Sequence, residues 1–240
     1  MDYDLIIVGA GPAGYVAAIR AGQAGLKTAL IEKKHVGGMC LNWGCIPSKA
    51  MLESAKYFSR LSMAADFGVE GIDTKTLTFS WEKGIKRSER IVRRLTKGVE
   101  YLLKKNNVEI ITGTASVEEA GTVAVDNRSL TAKNIIIATG SYPGALPFKV
   151  NDKKILNLES FFSMKEIPHK LLVVGEGPVA AEISQMLSMI GKDVTLVKTS
   201  EKIFPLLDDY LNAYITRRFE SLKINMIEGA AGYDTLNIND

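Results

Sequence analysis

Residues 4–14 run Asp4-Leu5-Ile6-Ile7-Val8-Gly9-Ala10-Gly11-Pro12-Ala13-Gly14, an apolar segment that breaks into closely spaced glycines. A short apolar run ending in glycine reads as a buried parallel strand. Pro12 to Ala24 then carries small and apolar residues at helical spacing, and Lys27 to Ile31 is a second apolar run closing on Glu32. Strand, glycine turn, helix and strand make a βαβ unit, with Gly9, Gly11 and Gly14 in the G-x-G-x-x-G positions of a dinucleotide site. The first glycine allows the tight turn, the second lets the backbone approach a pyrophosphate, and the third lets helix and strand pack closely. The helix that opens at Pro12-Ala13 offers the phosphates free N–H groups and a partial positive charge. Glu32 stands where a carboxylate accepts from a ribose 2′-hydroxyl. The motif by itself does not separate a flavin from a nicotinamide dinucleotide.

The same order returns later. Lys170–Val174 reads as a strand, Gly175 and Gly177 as the glycine turn, Pro178–Ile190 as a helix and Asp193–Val197 as a strand, so residues 4 to 32 recur at 170 to 198. Between the two copies lie a helical stretch from Pro47 to Met63, a long amphipathic helix from Trp81 to Lys105, and short strands at Val108–Thr112, Ala115–Val117, Thr122–Val125 and Asn134–Ile137. Asp208–Leu222 reads as a helix and Ile224–Ile227 as a strand after the second copy. The expected fold is α/β, with two Rossmann-like dinucleotide-binding units of the three-layer ββα type, the second incomplete. The Pro/Gly-rich stretch from Tyr142 to Pro147 sets the expected boundary, giving domains at 1–145 and 146–240.

A chain of 240 residues that is 46% hydrophobic has enough apolar material for a core. Its net charge of +3 mixes basic with acidic residues, which argues against a dedicated nucleic-acid surface. No apolar run reaches the length of a membrane span. Met1-Asp2-Tyr3-Asp4 enters the first strand directly, without the features of a signal peptide, so the expected location is cytoplasmic.

Both cysteines fall in Gly37-Gly38-Met39-Cys40-Leu41-Asn42-Trp43-Gly44-Cys45-Ile46-Pro47-Ser48-Lys49. Two cysteines at this spacing can close a small disulfide ring. A helix opening near Pro47, with Lys49 on it, puts positive charge beside the sulfurs, as thiol–disulfide exchange requires. A zinc site needs more ligands than this segment supplies. A pair of inert buried cysteines is the remaining alternative, and it has no need of the glycine and proline frame.

This segment resembles the active-site signature of the flavin-dependent pyridine nucleotide–disulfide oxidoreductases. Within that family, Cys-Leu-Asn-x-Gly-Cys-Ile-Pro-Ser-Lys-Ala is most similar to the dihydrolipoamide dehydrogenase branch, with glutathione and mercuric reductases as near relatives. Gly113-Thr114-Ala115 and Ala138-Thr139-Gly140-Ser141 match further flavin-contacting segments of the family. The resemblance implies that Glu32, with Lys33 beside it, binds the adenosine ribose of FAD. It implies that Gly38 and Met39 line the flavin site. Cys45 becomes the charge-transfer thiolate, Cys40 the interchange thiol that meets the substrate, and Lys49 a neighbour of the isoalloxazine ring. Glu182 matches a family glutamate that pairs with that lysine, so Glu182 and Lys49 are expected to meet near the flavin.

Gly175, Gly177, Pro178, Val179 and Ala180 then form the nicotinamide dinucleotide site, with Ala180 in place of the third glycine. Lys198 departs from the pattern. It ends the second strand, where an NAD-using enzyme carries an acid, and a lysine cannot accept from ribose hydroxyls. It is able to pair with a 2′-phosphate, so NADP stands beside NAD as the implied second cofactor. Glu176, between the glycines, is expected near the pyrophosphate, where its charge weakens binding. The family pattern continues past residue 240 with a Gly-Asp motif and a dimerisation domain bearing a His–Glu pair. His35 and His169 match neither, so the chain is expected to be either part of such an enzyme or a degenerate form of one. The whole enzyme is expected to be a homodimer that meets the lipoyl domain of a 2-oxoacid dehydrogenase or glycine cleavage complex, without nucleic acid or membrane. An NADPH-dependent reductase of another disulfide or of mercuric ion is the second reading, and a noncatalytic nucleotide-binding module the third.

Overall fold

The computed structural model describes residues 1–142, 150–151, 153–198 and 200–229. Its chain divides into two compact units, Met1–Pro47 with Glu89–Gly144, and Ser48–Ser88 with Ala145–Asp240. The boundary expected near residue 145 and the chain end at 239–240 lie outside the described residues.

The first unit is built from β1 (Tyr3–Val8), α1 (Pro12–Gln23), β2 (Thr28–Glu32), α2 (Gly38–Asn42) and the start of α3 (Cys45–Ser62). It also takes most of α4 (Trp81–Lys105), then β3 (Glu109–Thr112), β4 (Ala115–Glu119), β5 (Thr122–Val125) and β6 (Arg128–Ile137). The strand order is β3-β2-β1-β6-β5-β4. Strands β3, β2, β1 and β6 run parallel. β6 serves two partners: Arg128–Thr131 pair antiparallel with β5, and Ala132 to Ile137 pair parallel with β1.

Successive strand side chains face opposite sides of a sheet. Leu5, Ile7 and Leu30 therefore pack with Ala18 and Ala21 of α1 and Val99 and Leu103 of α4. Ile6, Val8, Ala29 and Ile31 pack on the other side with Val123, Val125 and Leu130 of the antiparallel strands. This is the ββα layering, and burial on both faces is why β1 and β2 read as unbroken apolar runs. β6 begins six residues before the strand expected at Asn134. Its first half buries only Leu130 and Ala132, and the polar Arg128, Ser129 and Thr131 between them mask the strand in the sequence.

In the second unit α5 (Leu158–Phe162), β7 (Lys170–Val174), α6 (Pro178–Met189), β8 (Asp193–Lys198), α7 (Asp209–Ser221) and β9 (Asn225–Glu228) follow one another. The sheet is parallel, in the order β7-β8-β9. Met186 and Leu187 of α6 and Leu196 of β8 form a fully buried centre. Met51 and Ala55 of α3, Trp81 and Ile85 of α4, and Phe161 and Phe162 of α5 join the same core. Trp81 Nε1 also donates to the Met164 carbonyl at 2.9 Å. These contacts group Ser48–Ser88 with the second unit. A five-residue helix such as α5 is too short for periodicity to show. Its signal is the capping box of Asn157 and Ser160.

Candidate functional site

The first glycine loop joins β1 to α1. Gly9 holds φ +101°, and a Cβ there would fall 2.3 Å from the Ala138 carbonyl oxygen. A Cβ on Gly14 would fall 1.7 Å from the Gly9 carbonyl oxygen, so α1 rests directly on the loop. Gly11 differs. Its φ of −68° suits any residue, and no protein atom lies within 4 Å of the Cβ it lacks. Packing within the protein therefore does not require a glycine at Gly11. A phosphate brought against the backbone does, and the residues present fit a bound dinucleotide.

Other expected residues converge on the same end of the sheet. Glu32 accepts from the Ala10 N–H and the Lys34 N–H, both at 2.8 Å, which fixes its carboxylate at the tip of β2 beside the glycine loop. A carboxylate has about four acceptor positions, so two backbone bonds leave room for ribose hydroxyls. The Gly113 N–H donates to the Glu32 carbonyl at 3.1 Å, which brings Gly113-Thr114-Ala115 alongside. Gly113 is held from behind by Asp126, and the Thr114 N–H donates to Asp126 at 3.3 Å. Ala138 and Thr139 follow β6 against Gly9, and Gly140, at φ +75°, and Ser141 come next. Lys33 lies 5.2 Å from the ring centroid of Tyr142, and a hydrogen bond to that phenol pushes its pKa up. Tyr142 is a site neighbour that sequence reasoning missed, because an isolated tyrosine after a strand has no spacing signal.

The cysteine segment starts against this loop. A Cβ on Gly38 would lie 2.7 Å from the Gly11 Cα, so Met39 and Cys40 ride on a helix anchored at the glycine turn. Asn42 pins that short helix by donating to the Val36 and Gly38 carbonyls at 3.0 and 2.8 Å. Trp43 packs edge-on to His35, with ring centroids 5.9 Å apart. Cys40 is half-buried and Cys45 is exposed as the first residue of α3. The helix opens two residues before Pro47, so Cys45 itself occupies its N-terminus. Among the described residues no group of three or more His, Cys, Asp or Glu side chains suits a metal ion.

Lys49, one turn along α3 from Cys45, places its Nζ 2.7 Å from both carboxylate oxygens of Glu182 on α6. The two residues are 133 positions apart and meet as expected. The lysine side chain is 58% exposed, so the pair contributes little stability.

The second glycine loop matches the first position by position: Gly9 and Gly175, Ala10 and Glu176, and Glu32 and Lys198 are each 166 residues apart. The backbone bond at the first glycine agrees too. The Gly9 N–H donates to Ile31 O at 2.8 Å, and the Gly175 N–H to Val197 O at 2.9 Å. The side chains do not agree. Lys198 is buried, and its Nζ lies 2.8 Å from Ser200 O, 2.6 Å from Glu201 O and 3.7 Å from a Glu228 carboxylate oxygen. The two carbonyls accept hydrogen bonds from the ammonium, and the Glu228 carboxylate lies beyond hydrogen-bond distance as an ion-pair partner. Glu176 accepts at one oxygen from the Ser200 N–H at 3.1 Å and the Ser200 hydroxyl at 2.5 Å. Pro178 and Val179 open α6 exposed, while Ala180 is buried against the sheet.

The sequence model described as pyridine nucleotide-disulphide oxidoreductase matches residues 3–232. The chain belongs to that family. It is 40% identical over 213 residues to a dihydrolipoyl dehydrogenase of Acholeplasma laidlawii, covering 87% of this chain and 63% of the relative. A dihydrolipoyl dehydrogenase of Bacillus subtilis is 37% identical over 243 residues, covering 95% of this chain and 51% of the relative. The chain thus spans between about half and two thirds of these relatives. Among solved structures, LpdA from Mycobacterium tuberculosis superposes with a TM-score of 0.83 at 22% identity, over 93% of this chain and 51% of that one. The HOCl-induced flavoprotein disulfide reductase RclA from Escherichia coli gives 0.81 at 23% identity, over 95% and 49%. At such identities the structures speak for the shared fold. No helix among the described residues is long and apolar enough to cross a membrane.

Proposed function

We propose that this chain is the nucleotide-binding and redox portion of a dihydrolipoyl dehydrogenase, oxidising protein-bound dihydrolipoamide with reduction of NAD+. The carrying observation is the glycine turn at Gly11, which the protein's own packing leaves unexplained, with the Cys40 helix anchored directly on it. FAD, when bound, supplies the two-electron link between the cysteine pair and the nicotinamide. The chain's residues do the rest. One thiolate of the dihydrolipoyl group attacks Cys40 of the Cys40–Cys45 disulfide, forming a mixed disulfide and releasing Cys45 as a thiolate. The second lipoyl thiol displaces Cys40, leaving lipoamide and the dithiol form of the pair. Lys49, oriented by Glu182, keeps a positive charge one helical turn from the Cys45 thiolate. Glu32 and the loop Gly9–Gly14 hold the adenosine end and pyrophosphate of FAD, with Gly113–Ala115 and Ala138–Ser141 beside them. The loop Gly175–Ala180 holds the nicotinamide dinucleotide.

NAD is favoured over NADP because the Lys198 ammonium is already engaged, which removes the main support for an NADPH-dependent reductase. Division into domains at 1–145 and 146–240, a homodimer, a cytoplasmic location and a lipoyl-domain partner belong to this proposal. The test is an absorption spectrum of the purified protein during titration with dihydrolipoamide. A flavin spectrum with a long-wavelength thiolate band, lost in Cys45→Ser, supports the reading. A protein that binds no flavin, or whose flavin ignores the dithiol, refutes it and leaves a nucleotide-binding module.

A further inference from the structure

In the first unit the ribose acid stands at the strand end, and its carboxylate is braced by the N–H of Ala10 in the glycine loop. In the second unit the strand end carries Lys198, and the acid has moved into the glycine loop as Glu176, the counterpart of Ala10. Its carboxylate is drawn to the segment after β8 by Ser200, the counterpart of Lys34, through N–H and hydroxyl bonds of 3.1 and 2.5 Å. Both units thus carry a carboxylate tied between glycine loop and strand end. Only the side from which it is supplied has changed.

We propose that Glu176 is the ribose-binding acid of the second site, supplied from the glycine loop in place of the strand-end acid that Lys198 displaces. This rests on the reading of Gly175–Ala180 as a nicotinamide dinucleotide site. Ser200 is its positioning residue. Its two donors hold the carboxylate toward the end of β8, where an adenosine ribose belongs, instead of leaving it loose before the α6 N-terminus, where the pyrophosphate belongs. A carboxylate there accepts from ribose hydroxyls and repels a 2′-phosphate. The buried Lys198, bonded to Ser200 O and Glu201 O, shapes the segment from which Ser200 reaches across. The arrangement selects NAD(H) against NADP(H).

The test is fluorescence titration of the flavin-loaded full chain with NADH and with NADPH, in the unaltered protein, Glu176→Gln and Ser200→Ala. Hydrogen bonds to a charged group predict that Glu176→Gln weakens NADH binding by about tenfold or more and brings the two dinucleotides near parity. Ser200→Ala moves both affinities in the same directions by a smaller factor. Glutamine keeps an acceptor for Ser200, and circular dichroism of both variants checks the fold. The proposal is overturned if Glu176→Gln binds NADH within about twofold of the unaltered chain, or more tightly. Tighter binding would mean that the charge acts against the pyrophosphate. Should the unaltered chain bind NADH while Glu176→Gln matches it, only this assignment falls. Should it bind neither dinucleotide, the nicotinamide reading falls and takes this assignment with it.

Discussion

The two glycine loops share a strand–turn–helix order and the hydrogen bond at their first glycine, and differ in what their glycines are for. At the third position the first unit has Gly14, whose added Cβ would meet the Gly9 carbonyl oxygen at 1.7 Å, whereas the second unit has Ala180 buried in a site that accepts the methyl. At the second position the order reverses. Gly177 holds φ +84°, which the backbone itself reserves for glycine, while Gly11 at φ −68° tolerates any residue and leaves open space. The same motif letters therefore carry different constraints: close packing and ligand approach in one loop, backbone conformation in the other.

Exchanging those constraints gives the largest expected effect. Gly14→Ala should destabilise the first unit by about 3 kcal/mol or more, because backbone atoms cannot yield as a flexible side chain does. Its counterpart Ala180→Gly should cost only about 1 kcal/mol through helix propensity. Thermal denaturation of both variants reads the difference, and equal losses would break the comparison. Next in size is the second glycine. Gly177→Ala should cost about 1–3 kcal/mol by placing a Cβ in a positive-φ region that is essentially confined to glycine. Gly11→Ala should leave the melting temperature of the flavin-free protein nearly unchanged and lower its flavin content, read from the absorbance ratio after purification.

A smaller effect separates the units by pH. Tyr3 in the first unit is buried and donates to Glu109 at 2.7 Å, and burial, followed by that hydrogen bond, pushes its pKa up to about 12. The folded-state pKa lies above the ordinary value, so the stabilisation is complete below pH 10 and fades as pH climbs toward about 12. Tyr3→Phe should cost on the order of 1 kcal/mol at neutral pH and flatten the alkaline loss of stability. Denaturant midpoints between neutral pH and the alkaline limit check this. Smallest is the exposed Lys49–Glu182 pair: Glu182→Gln should shift stability by only a few tenths of a kcal/mol. Flavin reduction by dithiol should slow by a much larger factor if the pair positions charge for the cysteines, and an equally small change there would remove it from the site.

Much of this was legible in the residues. The strand–glycine–helix–strand order, the 25-residue helix α4, the recurrence at 170 to 198 and the meeting of Lys49 with Glu182 all follow from local periodicity or from the cysteine-segment resemblance. Other features left no local trace. The helices α2 and α5 span five residues each, below the length at which periodicity shows. The first half of β6 is hidden by polar residues on its outer face.

Sequence alone determined the fold class and both glycine loops, because glycine spacing and apolar runs act through neighbouring backbone and need no distant partner. Tertiary structure decided what the unusual charges do. A lysine at a strand end reads as a phosphate ligand until the carbonyls of Ser200 and Glu201 are seen around it. A glutamate between glycines reads as a hindrance until Ser200, 24 residues away, is seen to hold it. A charge takes its role from whichever donors and acceptors the folded chain brings within bonding distance.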